Sequence, residues 1–191
     1  LDLCRPPCFS TGIGASAEPQ GHTPPFWRGA ERAHLQTRDA VLANIIRNGR
    51  RLAEWLGDTP LILENYYYHP TNAYEYICEP ETFNQLIAEL DCDVLLDLAH
   101  AQISAHNLGW PDTQRYLQKL PLDRVREIHV NRPAYSAEHG QMLDRHFPIQ
   151  PADLDLLRWT LDHTPATAVT LESESPDEET LVSEIALLRQ L

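Results

Sequence analysis

Four residues that can bind a metal ion stand at the ends of separate predicted strands. Three strands end in Glu64, Asp97 and Glu172, and a fourth carries His129 as its second-last residue. Short, continuously apolar runs are typical of strands that are buried on both faces. Because the C-terminal ends of parallel strands meet at one edge of a sheet, where α/β active sites lie, we expect these four side chains to converge.

Two local pairs add candidate ligands. His100 follows Asp97 just beyond its strand end, and Asp144 and His146 lie on one side of an extended segment because side chains alternate along a strand. Carboxylates can bridge two cations and offset their charge, while neutral imidazole suits Zn, Fe or Mn. Without metal the same carboxylates would repel one another. The ordered set therefore predicts a metal cluster.

Taken singly, each of these residues has a plainer interpretation. An Asp or Glu after a strand is usually a helix N-cap or a surface residue, and a lone His is usually structural or exposed. Tyr66, which closely follows Glu64, could line a substrate pocket or pack within an aromatic loop. It is the recurrence at four strand ends that favours the cluster.

Helical and strand patterns alternate beyond residue 37. Apolar residues recur at helical spacing from Val41 to Leu56, and Gly57 is expected to end that helix. Further helices are predicted at Phe83–Leu90, around Asp112–Leu120, at Pro151–His163, and from a capping box at Ser175–Glu178. This alternation is the pattern of a parallel α/β sheet.

The fold class that we predict is α/β, a TIM (β/α)8-type barrel in a single domain over residues 1–191. An intact barrel typically needs ~250 residues, and the predicted strands make about half a barrel, so we expect it to be N-terminally incomplete in this chain. Leu1–Cys4 is predicted as the remnant of a strand. Residues 5–37, rich in Pro, Gly and Ser, are predicted as a long loop within the domain, and such loops are often functional.

Composition excludes several classes of function. The chain has 15 Lys and Arg against 28 Asp and Glu, a net charge of −13 that argues against a nucleic-acid partner. No apolar run approaches the ~20 residues of a membrane span. The four scattered cysteines form no disulfide framework or zinc motif, so a reducing cytoplasm is the expected location. Without a G-x-S-x-G, P-loop or G-x-G-x-x-G motif, a serine hydrolase, a nucleotide-binding domain and a Rossmann dehydrogenase are disfavoured.

At the candidate ligands the sequence resembles the DUF692 family, the multinuclear non-haem iron-dependent oxidative enzymes (MNIO), within the xylose-isomerase-like TIM-barrel superfamily. Leu61–Asn65 resembles the family's strand ending in Glu-Asn. Leu95–His100 with Ile103–Gly109 resembles its LLDxNN…SAxNHG segment, and Tyr116–His129 matches its YLxxLPxxRVxxIH segment. The sequence departs from the pattern in two places: His100 replaces an Asn, and Asn131–Pro133 replaces the usual glycine and histidine.

The resemblance implies a ligand set and a cofactor. Asp144 and His146 stand where the family has its Asp-x-His pair, Glu172 stands at its last metal-binding Glu, and His22 lies close to the family's spacing for a histidine ligand. The residues that the resemblance implies as direct metal ligands are His22, Glu64, Asp97, His100, His129, Asp144, His146 and Glu172. They would hold two or three metal ions, iron first, with zinc or manganese as the alternative.

The resemblance also implies an activity. Such enzymes activate oxygen to modify peptides that contain cysteine, often with a partner protein that presents the peptide, and here Tyr66 or Arg145 would orient the substrate. Two alternatives stay open. One is a xylose-isomerase-like sugar isomerase or an endonuclease IV-like phosphodiesterase that uses Zn or Mn. The other is a non-catalytic barrel relic or binding module.

Overall fold

The computed structural model describes residues 8–13, 17–18, 34–70, 74–174 and 177–191. In chain order the elements are β1 (Phe9–Gly12), β2 (Ala17–Glu18), β3 (His34–Leu35), α1 (Arg38–Leu56), β4 (Leu61–Glu64), α2 (Pro80–Leu90), β5 (Asp93–Asp97), α3 (Leu98–Asn107), α4 (Thr113–Leu117), a 3-10 turn (Leu122–Arg124), β6 (Val125–Val130), β7 (Arg132–Ser136), β8 (Gln141–Phe147), α5 (Pro151–Asp162), β9 (Ala168–Leu171) and α6 (Glu178–Leu188).

A five-stranded sheet organises the chain. Its strand order is β1-β4-β5-β6-β9, and every neighbouring pair is parallel. Helices connect most of the strands, so the prediction of a parallel α/β fold is confirmed. The sheet does not close into a barrel over the described residues. Two short antiparallel pairs, β2 with β3 and β7 with β8, complete the strands that the structure describes.

Burial explains why the central strands read as continuous apolar runs. Leu63 of β4 and Leu96 of β5 are at most 4% exposed, and so are their neighbours Ile62 and Leu95, which point to the opposite face of the sheet. Helix α2 covers this sheet with Phe83, which is 2% exposed. Truncating a buried phenylalanine of this kind typically costs about 3–5 kcal/mol. The rigid sheet holds its strand ends in a fixed register.

Some helix boundaries follow the predictions and some do not. Gly57 ends α1 at φ 62° and donates its N–H to Ala53, as predicted. Helix α4 ends at Leu117 rather than near Leu120, because i→i+3 hydrogen bonds tighten the last turn ahead of Pro121. Helix α6 is capped by Asp177, whose side chain accepts the N–H of Thr180. The cap predicted at Ser175 lies outside the described residues.

The segment predicted as a long loop over residues 5–37 contains strands. Phe9–Gly12 forms β1 and pairs with β4 from Phe9 opposite Leu61 to Gly12 opposite Glu64. Its sequence, FSTG, is short and mostly exposed, so it lacks the apolar run or alternation that would predict a strand. The predicted remnant at Leu1–Cys4 and His22 lie outside the described residues. Within those residues, no helix is long and apolar enough to cross a membrane.

Helix α3, which the sequence pattern did not predict, completes the architecture together with the β7–β8 hairpin. Most side chains of α3 are buried, so this helix lacks the amphipathic period of a surface helix. Its last residue, Asn107, donates to the carbonyls of Tyr68 and Met142 and accepts the Met142 N–H, at 2.8–3.2 Å. This one amide therefore joins the segment after β4 to the β7–β8 hairpin, above the carboxyl edge of the sheet.

Candidate metal centre

The register of the sheet brings the four strand-end residues to one edge. Glu64 and Asp97 are the last residues of adjacent strands β4 and β5, and His129 of β6 lies directly opposite Asp97. Glu172 follows β9, where its N–H donates to the carbonyl of Val130 at 3.0 Å. Side chains from four separate strands therefore converge, as their positions at strand ends predict.

Their ligand atoms form two overlapping groups. The ligand atoms of Glu64, Asp97 and His100 all lie within 4.8 Å of one another, and so do those of Asp97, His129 and Glu172. Asp97 belongs to both groups and its side chain is fully buried. A carboxylate has two oxygens, so a shared one can bridge two cations, the arrangement of two-metal sites.

Asp97 has a structural task as well as a place in the cluster. It is the N-cap of α3, because its Oδ1 accepts the N–H of His100 at 2.7 Å. One oxygen of Asp97 therefore serves as a helix N-cap, the usual role of an acid after a strand. The other oxygen, Oδ2, is buried and has no hydrogen-bond partner among the described residues. One carboxylate thus caps a helix and still presents a free oxygen.

The hairpin supplies the Asp144–His146 pair. Asp144 Oδ2 lies 2.9 Å from His146 Nε2 and 3.5 Å from His100 Nε2. His146 has a φ of 47°, the left-handed region that residues with a side chain rarely adopt. Such strained backbone persists where the surroundings enforce it, often at functional sites. Because Asp144 lies beside His100, the Asp144–His146 pair adjoins the strand-end residues.

Neighbouring acceptors orient the two strand-edge imidazoles. His100 Nδ1 lies 2.9 Å from the carbonyl oxygen of Asn65, which can only accept, so Nδ1 carries the proton and Nε2 faces Asp144. His129 Nε2 lies 3.4 Å from Glu127 Oε1. A carboxylate behind an imidazole is the usual outer partner of a metal-binding histidine. His129 Nδ1 is then the ring nitrogen left for a metal.

Asn65 ties the ends of β4 and β5 together. Its side chain donates to the carbonyl of Asp97 at 3.0 Å and accepts the Asp97 N–H at 2.8 Å. Asn65 is 2% exposed, so both hydrogen bonds lie in a site shielded from water. This pairing fixes the backbone of Asp97 and therefore the direction of the shared carboxylate.

The cluster carries more negative charge than its surroundings neutralise. Burial raises the pKa of Asp97, and the nearby Asp144 and Glu172 carboxylates act in the same direction. Burial also raises the pKa of Glu64. For His100 burial acts to lower the pKa, but the Asp97, Asp144 and Glu64 carboxylates outweigh it and raise the pKa to about 9. A bound cation would supply the positive charge that these groups attract.

The donor set and the unpaired atoms fit metal ions. Buried polar atoms nearly always have a hydrogen-bond partner. Asp97 Oδ2, His129 Nδ1 and Asp144 Oδ1 have none among the described residues. His129 Nδ1 lies 3.0 Å from Glu172 Oε1, but the two are not aligned as a hydrogen bond. Carboxylate oxygens and imidazole nitrogens are ligands suited to Fe, Zn or Mn.

A cleft opens beside Asp144. It has a volume of about 380 Å³ and is lined by Tyr67, His69, His139, Gln141, Leu143, Asp144 and Arg145. His69 and Gln141 join its two walls, with 3.0 Å between Nδ1 and Oε1. Arg145, one of the two predicted substrate-orienting residues, is exposed at this cleft. The size is that of a small-molecule or peptide-segment site.

Tyr66, the other predicted substrate-orienting residue, does not line the cleft. Its ring stacks on Tyr67 with 4.7 Å between centroids and lies 5.8 Å from the ring of His100. Burial raises the pKa of Tyr66 to about 12, so its phenol is neutral near pH 7. Tyr67 is the tyrosine that lines the cleft, and nothing in the run of three tyrosines distinguished it.

Two further residues of the site were missed by sequence reasoning. Glu127 stands two positions before His129 and therefore on the same face of β6, a signal that could have identified it. Asn131 is fully buried, and neither polar atom of its side chain has a partner among the described residues. It directly follows β6, within the segment that departs from the family pattern.

The chain is similar to curated proteins from several bacteria. A UPF0276 protein of Bordetella pertussis is 33% identical over 140 residues, which cover 71% of this chain and 48% of the relative. A UPF0276 protein of Acaryochloris marina is 27% identical over 155 residues, 80% of this chain and 55% of the relative. The chain thus spans about half the length of these curated relatives.

Structural similarity supports the fold class, and a family profile identifies the family. The apo crystal structure of 3-keto-D-glucoside 4-epimerase, YcjR, from E. coli matches 82% of this chain and 56% of its own, with a TM-score of 0.51 and 15% identity. Its fold is a xylose-isomerase-like TIM barrel, as predicted for this chain. The profile described as "RiPP precursor modification enzyme MbnB/TglH/ChrH" matches residues 34–191, most of the chain. The chain therefore belongs to the MbnB/TglH/ChrH family of RiPP precursor modification enzymes, the DUF692 or MNIO family that its motifs resemble.

Proposed function

We propose that this chain carries the metal centre of an oxidative enzyme that modifies a peptide. The observation that carries the proposal is the shared Asp97, which belongs to both groups of ligand atoms and has one buried oxygen without a partner among the described residues. Membership of a family of peptide-modifying enzymes supports the same activity. A peptide presented by a partner protein is part of the proposal.

In this proposal the chain holds two or three metal ions with named residues. Glu64 would bind a metal ion on one side of Asp97, and His129 with Glu172 would bind on the other side. Asp144 and His146 would provide the third position together with His100, whose Nε2 lies 3.5 Å from Asp144 Oδ2. His22, which lies outside the described residues, is a further proposed ligand. Bound iron would supply the redox chemistry that activates oxygen.

The remaining residues of the site orient the metal ligands or position the substrate. Asn65 orients Asp97 through two hydrogen bonds, and Glu127 orients His129, with 3.4 Å between Glu127 Oε1 and His129 Nε2. The cleft beside Asp144 receives the substrate, whose reacting group then lies next to the cluster. Arg145, a fixed positive charge at the cleft, pairs with an anionic group of the peptide. Tyr66 orients the substrate indirectly, because its ring supports Tyr67 in the wall.

The test is to load the chain with Fe²⁺ under nitrogen, remove unbound metal and measure the metal content and oxygen uptake. We expect at least two iron ions per chain. The His129→Ala variant should lose at least one ion, and the His163→Ala variant, which changes an exposed histidine at the end of α5, should lose none. Folded wild-type chain without stoichiometric metal would contradict the proposal.

The same samples separate the proposal from its alternatives. Oxygen uptake with iron favours the oxidative enzyme. Turnover of sugars or abasic DNA with Zn²⁺ or Mn²⁺, and none with iron and oxygen, would instead favour an isomerase or phosphodiesterase. Metal content and stability that do not change in His129→Ala would favour a non-catalytic relic. Arg145→Ala, with metal content unchanged, should weaken binding of an acidic peptide more than binding of its neutral analogue.

A further inference from the structure

One buried glutamate lies outside the ligand groups. Glu184 of α6 is 2% exposed and is the buried residue of that helix, whereas Leu181 and Ile185 of the same helix are exposed. A surface helix usually buries its apolar residues and exposes its charges. Burying a carboxylate costs free energy unless its oxygens accept hydrogen bonds. The position of Glu184 therefore depends on what it contacts.

Glu184 contacts two segments that carry proposed metal ligands. Its Oε1 accepts the N–H of Ile149 at 2.9 Å, and its Oε2 accepts the hydroxyl of Ser173 at 2.9 Å. Ser173 directly follows Glu172, and Ile149 comes shortly after His146 at the end of β8. The carboxylate therefore bridges the loop after β9 and the segment that leaves the hairpin.

A backbone hydrogen bond joins the same two segments nearer the cluster. The N–H of Glu174 donates to the carbonyl of His146 at 2.8 Å. On its other side, Glu172 is held to β6, because its N–H donates to the carbonyl of Val130 at 3.0 Å. Glu184 and Glu174 are thus two anchors that set the distance between Glu172 and His146.

We propose that Glu184 is a positioning residue that fixes Glu172 against the hairpin and so sets the affinity of the metal position that Glu172 completes. This inference rests on the proposed function. Without the carboxylate, the Ser173 hydroxyl and the buried Ile149 N–H lose an acceptor, and the loop carrying Glu172 loses an anchor. Loss of such an outer partner typically lowers metal affinity by about 10- to 100-fold.

The experiment is a titration of the full chain with Co²⁺. Binding is monitored by the visible absorption of the bound ion, which reports how many ligands surround it. We compare wild type with Glu184→Ala, Glu184→Gln, Glu172→Ala and the double variant Glu184→Ala/Glu172→Ala. The matched control is Glu179→Gln, an exposed glutamate on the same helix. Thermal unfolding of each metal-free variant separates lost stability from lost affinity.

We expect Glu184→Ala to lower the affinity for one Co²⁺ ion by about 10- to 100-fold and to alter the visible absorption of that ion. Glu184→Gln should lose less, because its amide oxygen still accepts one of the two hydrogen bonds. Glu179→Gln should bind like wild type. If Glu184 acts through Glu172, the double variant should bind no more weakly than Glu172→Ala alone, because residues that act as a unit are not additive.

Two outcomes would overturn the inference alone: wild-type affinity in a folded Glu184→Ala chain, or a loss that adds fully to that of Glu172→Ala. If Glu184→Ala does not fold, Glu184→Gln is judged by the same criteria. A folded wild-type chain that binds no Co²⁺ and no Fe²⁺ would overturn the proposed function and this inference with it.

Discussion

The two ends of the parallel sheet both carry acidic residues, but they neutralise them differently. At the amino end, Arg124 pairs with Asp91 at 2.7 Å and Arg126 pairs with Asp93 at 2.9 Å, and the arginine side chains are 36% and 47% exposed. At the carboxyl end, Glu64, Asp97, Asp144 and Glu172 pair only with histidines among the described residues. The acids at the amino end form ion pairs with arginine at the surface, whereas a bound cation would supply the positive charge that the acids at the carboxyl end attract.

The largest effect on metal affinity is expected from a substitution at the carboxyl end of β5, compared with one at its amino end. Asp97→Asn keeps an oxygen for the α3 cap but removes the charge that both ligand groups share. We expect metal affinity to fall by more than about 100-fold, because losing an outer partner alone costs about 10- to 100-fold. Asp93→Asn, at the amino end of β5, is the matched control and should keep its metal. Equal metal content in the two variants would remove the distinction between the ends.

Metal should also stabilise the fold, and only through the carboxyl end. A ligand that binds the folded chain alone adds about 2.7 kcal/mol of stability at 100 times its Kd. We expect thermal unfolding of the wild type and of Asp93→Asn to shift upward with Fe²⁺ under nitrogen and to return with a chelator. Asp97→Asn should show little shift. A metal-independent unfolding temperature in the wild type would contradict this prediction.

A smaller effect is expected from the carboxylate behind His129. Glu127→Gln weakens the acceptor that faces His129 Nε2, so metal affinity should fall by about 10- to 100-fold while the fold persists. Thr170→Val is an informative companion, because the Thr170 hydroxyl donates to Glu127 at 2.6 Å and holds it in place. Metal titration of both variants measures the effect. Unchanged affinity in Glu127→Gln would mean that the contact does not orient the imidazole.

The smallest effect is expected at the amino end. Arg126→Ala removes an ion pair whose side chains are partly exposed, and such pairs contribute roughly 0–1 kcal/mol. The loss should shrink at high salt, because mobile ions screen exposed charges. Chemical denaturation at two salt concentrations measures it, and metal content should not change. A change in metal content would show that the two ends of the sheet are coupled.

The strands and the residues at their ends could be predicted because they leave local patterns in the sequence. Apolar runs that end in Glu64, Asp97 and Glu172 are local signals, and the rule that parallel strands share a carboxyl edge places them together. The β1 strand lacks such a signal, because FSTG is mostly exposed and its pairing with β4 depends on neighbours distant in sequence. Helix α3 was missed because it is buried on most sides.

Asn65 and Glu184 could not be predicted as outer partners, because their contacts depend on how distant segments pack and not on composition. Asn65 acts on Asp97 across two strands, and Glu184 reaches Ser173 and Ile149 from a helix whose pattern resembles an ordinary surface helix. Tyr67 was indistinguishable from its neighbouring tyrosines until the path of the chain after β4 was known. His22 lies outside the described residues, so its role as a ligand stays a prediction.

The double attachment of Asp97 has a consequence for how the centre fills. Since the same carboxylate starts a helix and belongs to both ligand groups, occupancy of either position constrains the other, and such linkage is reciprocal. We therefore expect the affinity for the second ion to depend on the first, so that a metal titration does not fit two independent sites. Acquisition of metal would then be the last step in the maturation of this edge of the sheet rather than a later addition to a finished protein.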